Sequence, residues 1–132
     1  MKHRTVHRLR FNDTDRLGHV NNAVFSVMLE QGRSELAVQL GLPVGVQGQS
    51  LVIARLELDF VGEMTWPGEV EIETGVSRLG TKSFSLVQTL FSGGQVCARA
   101  STVLVVMDTA TRRAVPIEPW REALGGWLAE PA

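Results

Sequence analysis

The sequence predicts an α+β domain in which one antiparallel sheet curves around one helix. Three observations carry this expectation. Between Asn22 and Leu40, Phe25, Met28, Leu29, Gly32, Leu36 and Leu40 recur at helical spacing. Beyond Gly41 the period changes to two, first in "LVIARLELDF" and again in "VEIETGV". The alternating segments are joined by short Gly-containing turns, which suit hairpins and therefore antiparallel neighbours.

Each element follows in order. "TVHRLRF", Thr5 to Phe11, reads as a first strand with Thr5, His7, Leu9 and Phe11 on one face and Val6, Arg8 and Arg10 on the other. The helix from Asn22 to Leu40 has an Asn ready to cap its start and Gly41 ready to end it. Val24, Val27, Ala37 and Val38 widen its apolar stripe, so the helix is expected to be wrapped by protein. In "LVIARLELDF" the pattern turns Val52, Ala54, Leu56, Leu58 and Phe60 inward, and Ile53, Arg55, Glu57 and Asp59 outward. "WPGE" is a turn, after which Val70, Ile72, Thr74 and Val76 point inward. "RLGTK" leads to the strand "SFSLVQTLF", and "SGG" leads to "QVCARASTVLVVMD", which is apolar on both faces and so expected to be covered on both. "PIEPWREALGGW" suggests a short final helix packed on an edge. The total is five strands and one long helix.

Composition narrows the function classes. A chain of 132 residues with 44% hydrophobic content fits a single domain, 1–132, with its own core. A net charge of −1 supplies no general pull toward nucleic acid or anionic membrane, so neither is an expected partner. Cys97 stands alone, which excludes an intrachain disulfide and suits a cytoplasmic setting. No basic leader is followed by an apolar core, and no stretch approaches the length needed to span a bilayer. His3 and His7 share a strand face without an evident third ligand, so no metal is expected.

The densest polar chemistry is "NDTDRLGHVNN", Asn12 to Asn22, immediately before the helix. Extended to "RFNDTDRLGHVNNAVFSVMLEQGR", Arg10 to Arg33, it closely resembles the first strand, loop and helix of hotdog-fold thioesterases of the 4-hydroxybenzoyl-CoA thioesterase type. Their pattern runs approximately R-F-x-D-x-D-x-x-G-H-V-N-N-x-x-[YF]-x-x-x-x-E-x-x-R. The resemblance implies a hotdog fold, a five-stranded antiparallel sheet wrapped around a long central helix. It also implies an acyl-CoA thioesterase that releases a carboxylic acid and free CoA. Asp15 corresponds to the catalytic carboxylate, and the backbone N–H of Asn22 to the group that binds the thioester oxygen. Lys82 to Phe84, "KSF", looks like the turn and strand that meet the coenzyme A tail. The fit is closest to the bacterial acyl-CoA branch. Some short-chain members carry His where this chain has Asn22, and plant acyl-ACP members carry Asn where it has Leu17.

The chemistry can be argued from the residues as well. A thioester leaves as a thiolate, whose conjugate acid has a pKa of about 8.5, so its hydrolysis needs a base or nucleophile and an oxyanion site more than a strong acid. A carboxylate folded back toward a helix N-terminus supplies both. From spacing alone Asp15 reads first as a solvated loop acid; the resemblance makes Asp15, His19 and Asn22 the expected catalytic residues, with His19 either a catalytic partner or a brace for the loop. Gly18 and Asn21 are expected to border the substrate. Arg78 and Lys82, flanking a Gly-containing turn, are candidates for the CoA phosphates. Asp13 reads as a turn residue, and Glu30 with Arg33 as an i,i+3 ion pair, with a pocket-lining Glu30 as the alternative on a wrapped helix. No cofactor is expected. The partners are acyl-CoA or an acyl carrier protein, and a second copy of the chain in a homodimer or homotetramer. A noncatalytic module that binds acyl thioesters is the alternative, and a dehydratase is weakened by the lack of a second histidine near the loop.

Overall fold

The computed structural model describes residues 1–128, so the last four positions of the expected 1–132 domain lie outside the described residues. In chain order the elements are β1 (His3–Arg8), α1 (Asn22–Gln39), β2 (Gln49–Phe60), β3 (Glu69–Leu79), β4 (Phe84–Ser92), β5 (Gln95–Asp108), β6 (Arg113–Val115) and α2 (Arg121–Gly125). Short 3-10 turns occupy Phe11–Asp13 and Glu118–Trp120. All paired strands are antiparallel, in the order β1-β3-β4-β5-β2, and β6 pairs with the end of β5. None of the described helices is long and apolar enough to cross a membrane.

The sheet has six strands where the pattern predicted five. At three residues, β6 is too short to show a period. It forms because Asp108 Oδ1 accepts the N–H groups of Ala110 and Thr111, both at 2.9 Å, and Arg112 at φ 59° turns the chain back. The final segment also does more than pack on an edge. Ile117 and Leu124 are fully buried and close one end of the core with Leu36, Val76, Phe84 and Leu104.

α1 has 18 residues and packs over β3, β1 and β4. Its Asn21 N-cap accepts from the Ala23 N–H at 2.9 Å, and Gly41, at φ +74°, ends it with Leu42 N–H bonded to Ala37 O. The expectation that α1 is wrapped holds for one face only. Met28, Leu29 and Leu36 are buried, but Val27 and Val38 are exposed. The helix meets the sheet closely at Gly32. A Cβ there would stand 2.7 Å from Ile72 Cγ2, 2.9 Å from Thr74 Oγ1 and 3.0 Å from Gln88 Nε2. Beside it, the buried Gln88 donates to Leu29 O at 2.9 Å and to Thr74 Oγ1 at 3.0 Å, and accepts from Arg33 at 3.4 Å. An amide thus satisfies polar groups that burial would otherwise leave costly.

Two strand faces differ from the alternation. β2 has a bulge between Ile53 and Arg55, and one extra residue reverses the pleat. Ile53 is paired with the buried Leu104, and Leu56 with the buried Thr102, so both lie on the inner face. The inner set is therefore Leu51, Ile53, Leu56, Leu58 and Phe60; Val52 and Ala54 are not part of it. In β5 both Cys97 and Ala98 are buried at an irregularity in the pairing with β4, and from there on only one face is deeply buried, with Ala100, Thr102, Leu104 and Val106 inside. The first strand ends at Arg8, and the 3-10 turn carries Phe11 outward to 72% exposure rather than into the core.

Gly32→Ala tests the seat of the helix. In an ordinary helix interior this change stabilises by about 0.5–1 kcal/mol. Here the added methyl should instead destabilise by about 1–3 kcal/mol, read as a lower urea midpoint with an unchanged m value.

Candidate functional site

The loop between β1 and α1 is held from within by Asp13. Its carboxylate is 2% exposed and accepts Arg10 N–H at 2.8 Å, Arg10 Nη2 at 3.1 Å and His7 Nε2 at 3.3 Å. Its carbonyl accepts Asn21 N–H at 2.9 Å, which ties the loop to the start of α1. Burial pushes the Asp13 carboxyl upward, but the bonds from the Arg10 backbone, His7 and the Arg10 side chain, with the charge of Arg10, outweigh it. The carboxyl is held below its ordinary 3.8.

Asp15 is arranged differently. Its backbone N–H donates to His19 O at 2.8 Å, and its Oδ1 accepts Leu17 N–H at 2.8 Å and His19 N–H at 3.3 Å. The turn between them needs Gly18 at φ +80°, a conformation strained for a residue with a Cβ. Oδ1 is thereby engaged in shaping the loop. Among the described residues Oδ2 has no hydrogen-bond partner. The same holds for the Asn22 N–H, the first of the helix N-terminal donors, since the cap Asn21 serves Ala23 instead.

These groups border one hollow of about 290 Å³, lined by Asp15, His19, Asn22, Phe25, Phe60 and Glu63 among others. Phe25 and Phe60 meet edge to face at 5.1 Å and supply an apolar wall. His19 turns its Nε2 to Glu63 Oε2 at 3.3 Å, and a one-residue bridge pairs His19 with Thr65. Val20 N–H bonds Met64 O at 2.8 Å. The segment after β2 is thus stitched to the loop, which is how Glu63 reaches a site formed forty residues earlier. Glu63, Phe60 and Met64 carry no local signal in the sequence; only strand pairing brings them there.

Of the residues expected from sequence, Asp15, His19 and Asn22 come together. Gly18 and Asn21 do not line the hollow; they turn and cap the backbone that does. Arg78 and Lys82 lie at the other end of the molecule. Their turn follows β3 and is bound by Arg121 Nη2 to Gly80 O at 2.7 Å and by Ile117 N–H to Thr81 O at 3.0 Å, near the C-terminal half of α1. His7 is committed to Asp13, and among the described residues no group of three His, Cys, Asp or Glu side chains could hold a metal. Glu30 and Arg33 do not form the expected ion pair.

A carboxylate oxygen and a helix-start N–H in residues that line one hollow can attack a carbonyl, directly or through water, and polarise it. Residues 9–128 match the family model described as thioesterase-like superfamily. No curated protein matches the chain. Among solved structures, a predicted thioesterase from Bacillus stearothermophilus is 31% identical with a TM-score of 0.93, and the match covers 100% of both chains. A 1,4-dihydroxy-2-naphthoyl-CoA thioesterase from Synechocystis is 18% identical with a TM-score of 0.84 over 95% of this chain and 96% of that one. A Staphylococcus aureus protein solved in complex with CoA is 11% identical with a TM-score of 0.89 over 100% and 89%. The last two show likeness of fold alone.

The Asp13 cluster makes a prediction for stability against pH. Because the folded carboxyl is lowered, its contribution is complete above the unfolded value and fades as pH falls through the folded one. Asp13→Asn should destabilise by about 1–3 kcal/mol at neutral pH. In urea unfolding curves that margin should stay level down to about pH 5 and shrink below the ordinary carboxylate value.

Proposed function

Because the chain belongs to the thioesterase-like superfamily and is by that membership a thioester hydrolase, we propose that it hydrolyses an acyl-CoA to a carboxylic acid and free CoA in the hollow at the start of α1. The observation that supports this reading most is that two residues lining this hollow each keep an uncommitted group, Asp15 its Oδ2 and Asn22 its N–H. The thioester oxygen takes the Asn22 N–H, where the helix dipole favours the negative charge that develops during attack. Asp15 either adds its own oxygen to the carbonyl carbon or takes a proton from a water that does so. The tetrahedral adduct then collapses, the C–S bond breaks, and CoA leaves as the thiolate; in the water route Asp15 passes its proton on to that thiolate or to solvent, and in the direct route water cleaves the anhydride left on Asp15 to give the carboxylic acid. Leu17 N–H and His19 N–H hold Asp15 Oδ1 and leave Oδ2 without a partner in a residue that lines the hollow. His19, paired with Glu63, acts as the brace of this loop.

Asp15→Asn keeps shape and hydrogen bonds to the loop while removing charge and basicity. Release of free thiol from the best substrate of an acyl-CoA panel should fall in kcat by about 10²-fold or more, with binding largely retained. His19→Ala should fall between that variant and the wild type. A folded Asp15→Asn enzyme working at wild-type rate would overturn the assignment, and thioester binding without any turnover by the wild type would favour a binding module instead. Single-turnover hydrolysis in oxygen-18 water separates the routes, since label in Asp15 requires a covalent anhydride.

The reading extends to a homodimer. β2 is a 12-residue edge strand, and its inner face carries Ile53, Leu56 and Phe60 at 39–51% exposure. A long apolar edge invites a second strand. Antiparallel pairing of two β2 strands about a twofold axis would set the Phe60 end of one copy, beside Asp15, against the Gln49 end of its mate. Phe84 pairs with Leu104 and Leu104 with Ile53, so the turn holding Lys82 belongs to that Gln49 end. Lys82 and Arg78 of the second copy would then face the side from which a CoA tail approaches. Light scattering at assay concentration should give a dimer or a multiple of it; an active monomer would reject this assembly.

A further inference from the structure

A second hollow, of about 320 Å³, opens between the middle of α1, the loop after it and the first half of β2. Its walls include the apolar Val44, Val46, Leu51 and Ile53, and two charged side chains, Glu30 and Arg33. Arg33 is only 7% exposed. A guanidinium has five N–H donors and keeps its charge. Yet the hydrogen bond this side chain makes among the described residues is a long one, from Nη1 to the neutral Gln88 Oε1 at 3.4 Å. No carboxylate of the described residues lies within ion-pair distance of it. Glu30, three residues earlier and exposed, acts on it only through space, and burial disfavours its charge. A buried cation with spare donors beside a cavity is a seat for an anion.

This hollow and the Asp15 hollow lie along the same seam. At one end Asn22 and Phe25 line a hollow with Phe60 to Met64; at the other Glu30, Arg33 and Ser34 line one with Gln49, Ser50, Leu51 and Ile53. Asn22 and Arg33 are eleven residues apart, about 16 Å along the helix, and a long side chain on a helix leans back toward its N-terminus. An extended carbon chain of about ten atoms covers what remains. Resting on the reading of the Asp15 hollow as the thioester site, we propose that Arg33 seats the carboxylate at the far end of an ω-carboxyacyl group. The preferred substrates are then CoA monothioesters of dicarboxylic acids about ten carbons long, chosen over plain fatty acyl thioesters of equal length. Glu30 at the rim opposes the same carboxylate and moderates the preference.

The test compares kcat/KM for ω-carboxyacyl-CoA and plain acyl-CoA pairs from about four to about fourteen carbons. An advantage of about tenfold or more for the carboxylated member is expected near ten carbons. Arg33→Met should abolish that ratio, Arg33→Lys should reduce it through loss of the two-pronged contact, and Glu30→Gln should raise it. No advantage at any length, or one confined to the shortest chains, overturns the proposal. If Arg33→Met fails to fold, an unchanged ratio in Glu30→Gln overturns it equally. Should no thioester be turned over, the thioesterase reading falls by itself. Calorimetric titration of the free ten-carbon dicarboxylate then decides the seat: tighter binding to Glu30→Gln than to wild type sustains it, and no binding to either ends it.

Discussion

The close seat of α1 on the sheet at Gly32 is the constraint from which the rest of the arrangement follows. With Ile72, Thr74 and Gln88 all within 3.0 Å of where a Cβ would stand, any other residue would push the helix away from β3 and β4. Gln88 then fastens the contact by donating to Leu29 O inside the helix, at no cost in unpaired polar groups. Held there, the helix covers β1, β3 and β4, and its N-terminus falls where the loop from β1 and the segment after β2 can converge on it. The same position leaves β2 beside the helix rather than beneath it. That lateral gap is where both hollows lie.

Two aspartates two residues apart have opposite uses because their surroundings differ. Asp13 gives both oxygens to Arg10 and His7 and is shut away from water, so its charge is consumed in holding the loop. Asp15 gives one oxygen to the turn and keeps the other uncommitted. A carboxylate whose bonds are all satisfied internally is a fastener. One that is half satisfied is oriented and still able to react, which is the condition for preorganised chemistry.

β2 shows how a single inserted residue reaches function. The bulge at Ala54 reverses the pleat, bringing Leu51 and Ile53 to the inner face in line with Leu56, Leu58 and Phe60. Without it the first half of the strand would turn Val52 and Ala54 toward the helix, and the hollow beside Arg33 would have a different wall. The bulge leaves an inner strip that is apolar along its length yet half exposed, a surface suited to a lipid-like chain and to a second subunit.

By itself the sequence determined the main elements and the cluster of candidate site residues, because both depend on local pattern. Helical spacing from Phe25 to Leu36, alternation through Val70 to Val76 and the turn residues between strands are properties of neighbours in the chain, and the structure keeps them. The cluster from Asp13 to Asn22 is likewise contiguous, so Asp15, His19 and Asn22 could be named together before any contact was known. What tertiary structure alone decided is what arrives from far along the chain or depends on pairing register. Glu63 meets His19 because the segment after β2 bridges to the loop, and Phe60 faces Phe25 because the helix stops short of β2. The bulge in β2, the three-residue β6 and the outward turn of Phe11 each rest on one backbone irregularity, which averages over side-chain hydrophobicity do not register. Arg33 marks the boundary most sharply: spacing pairs it with Glu30, whereas the close packing at Gly32 draws it under the surface beside Gln88, with no carboxylate of the described residues in ion-pair range.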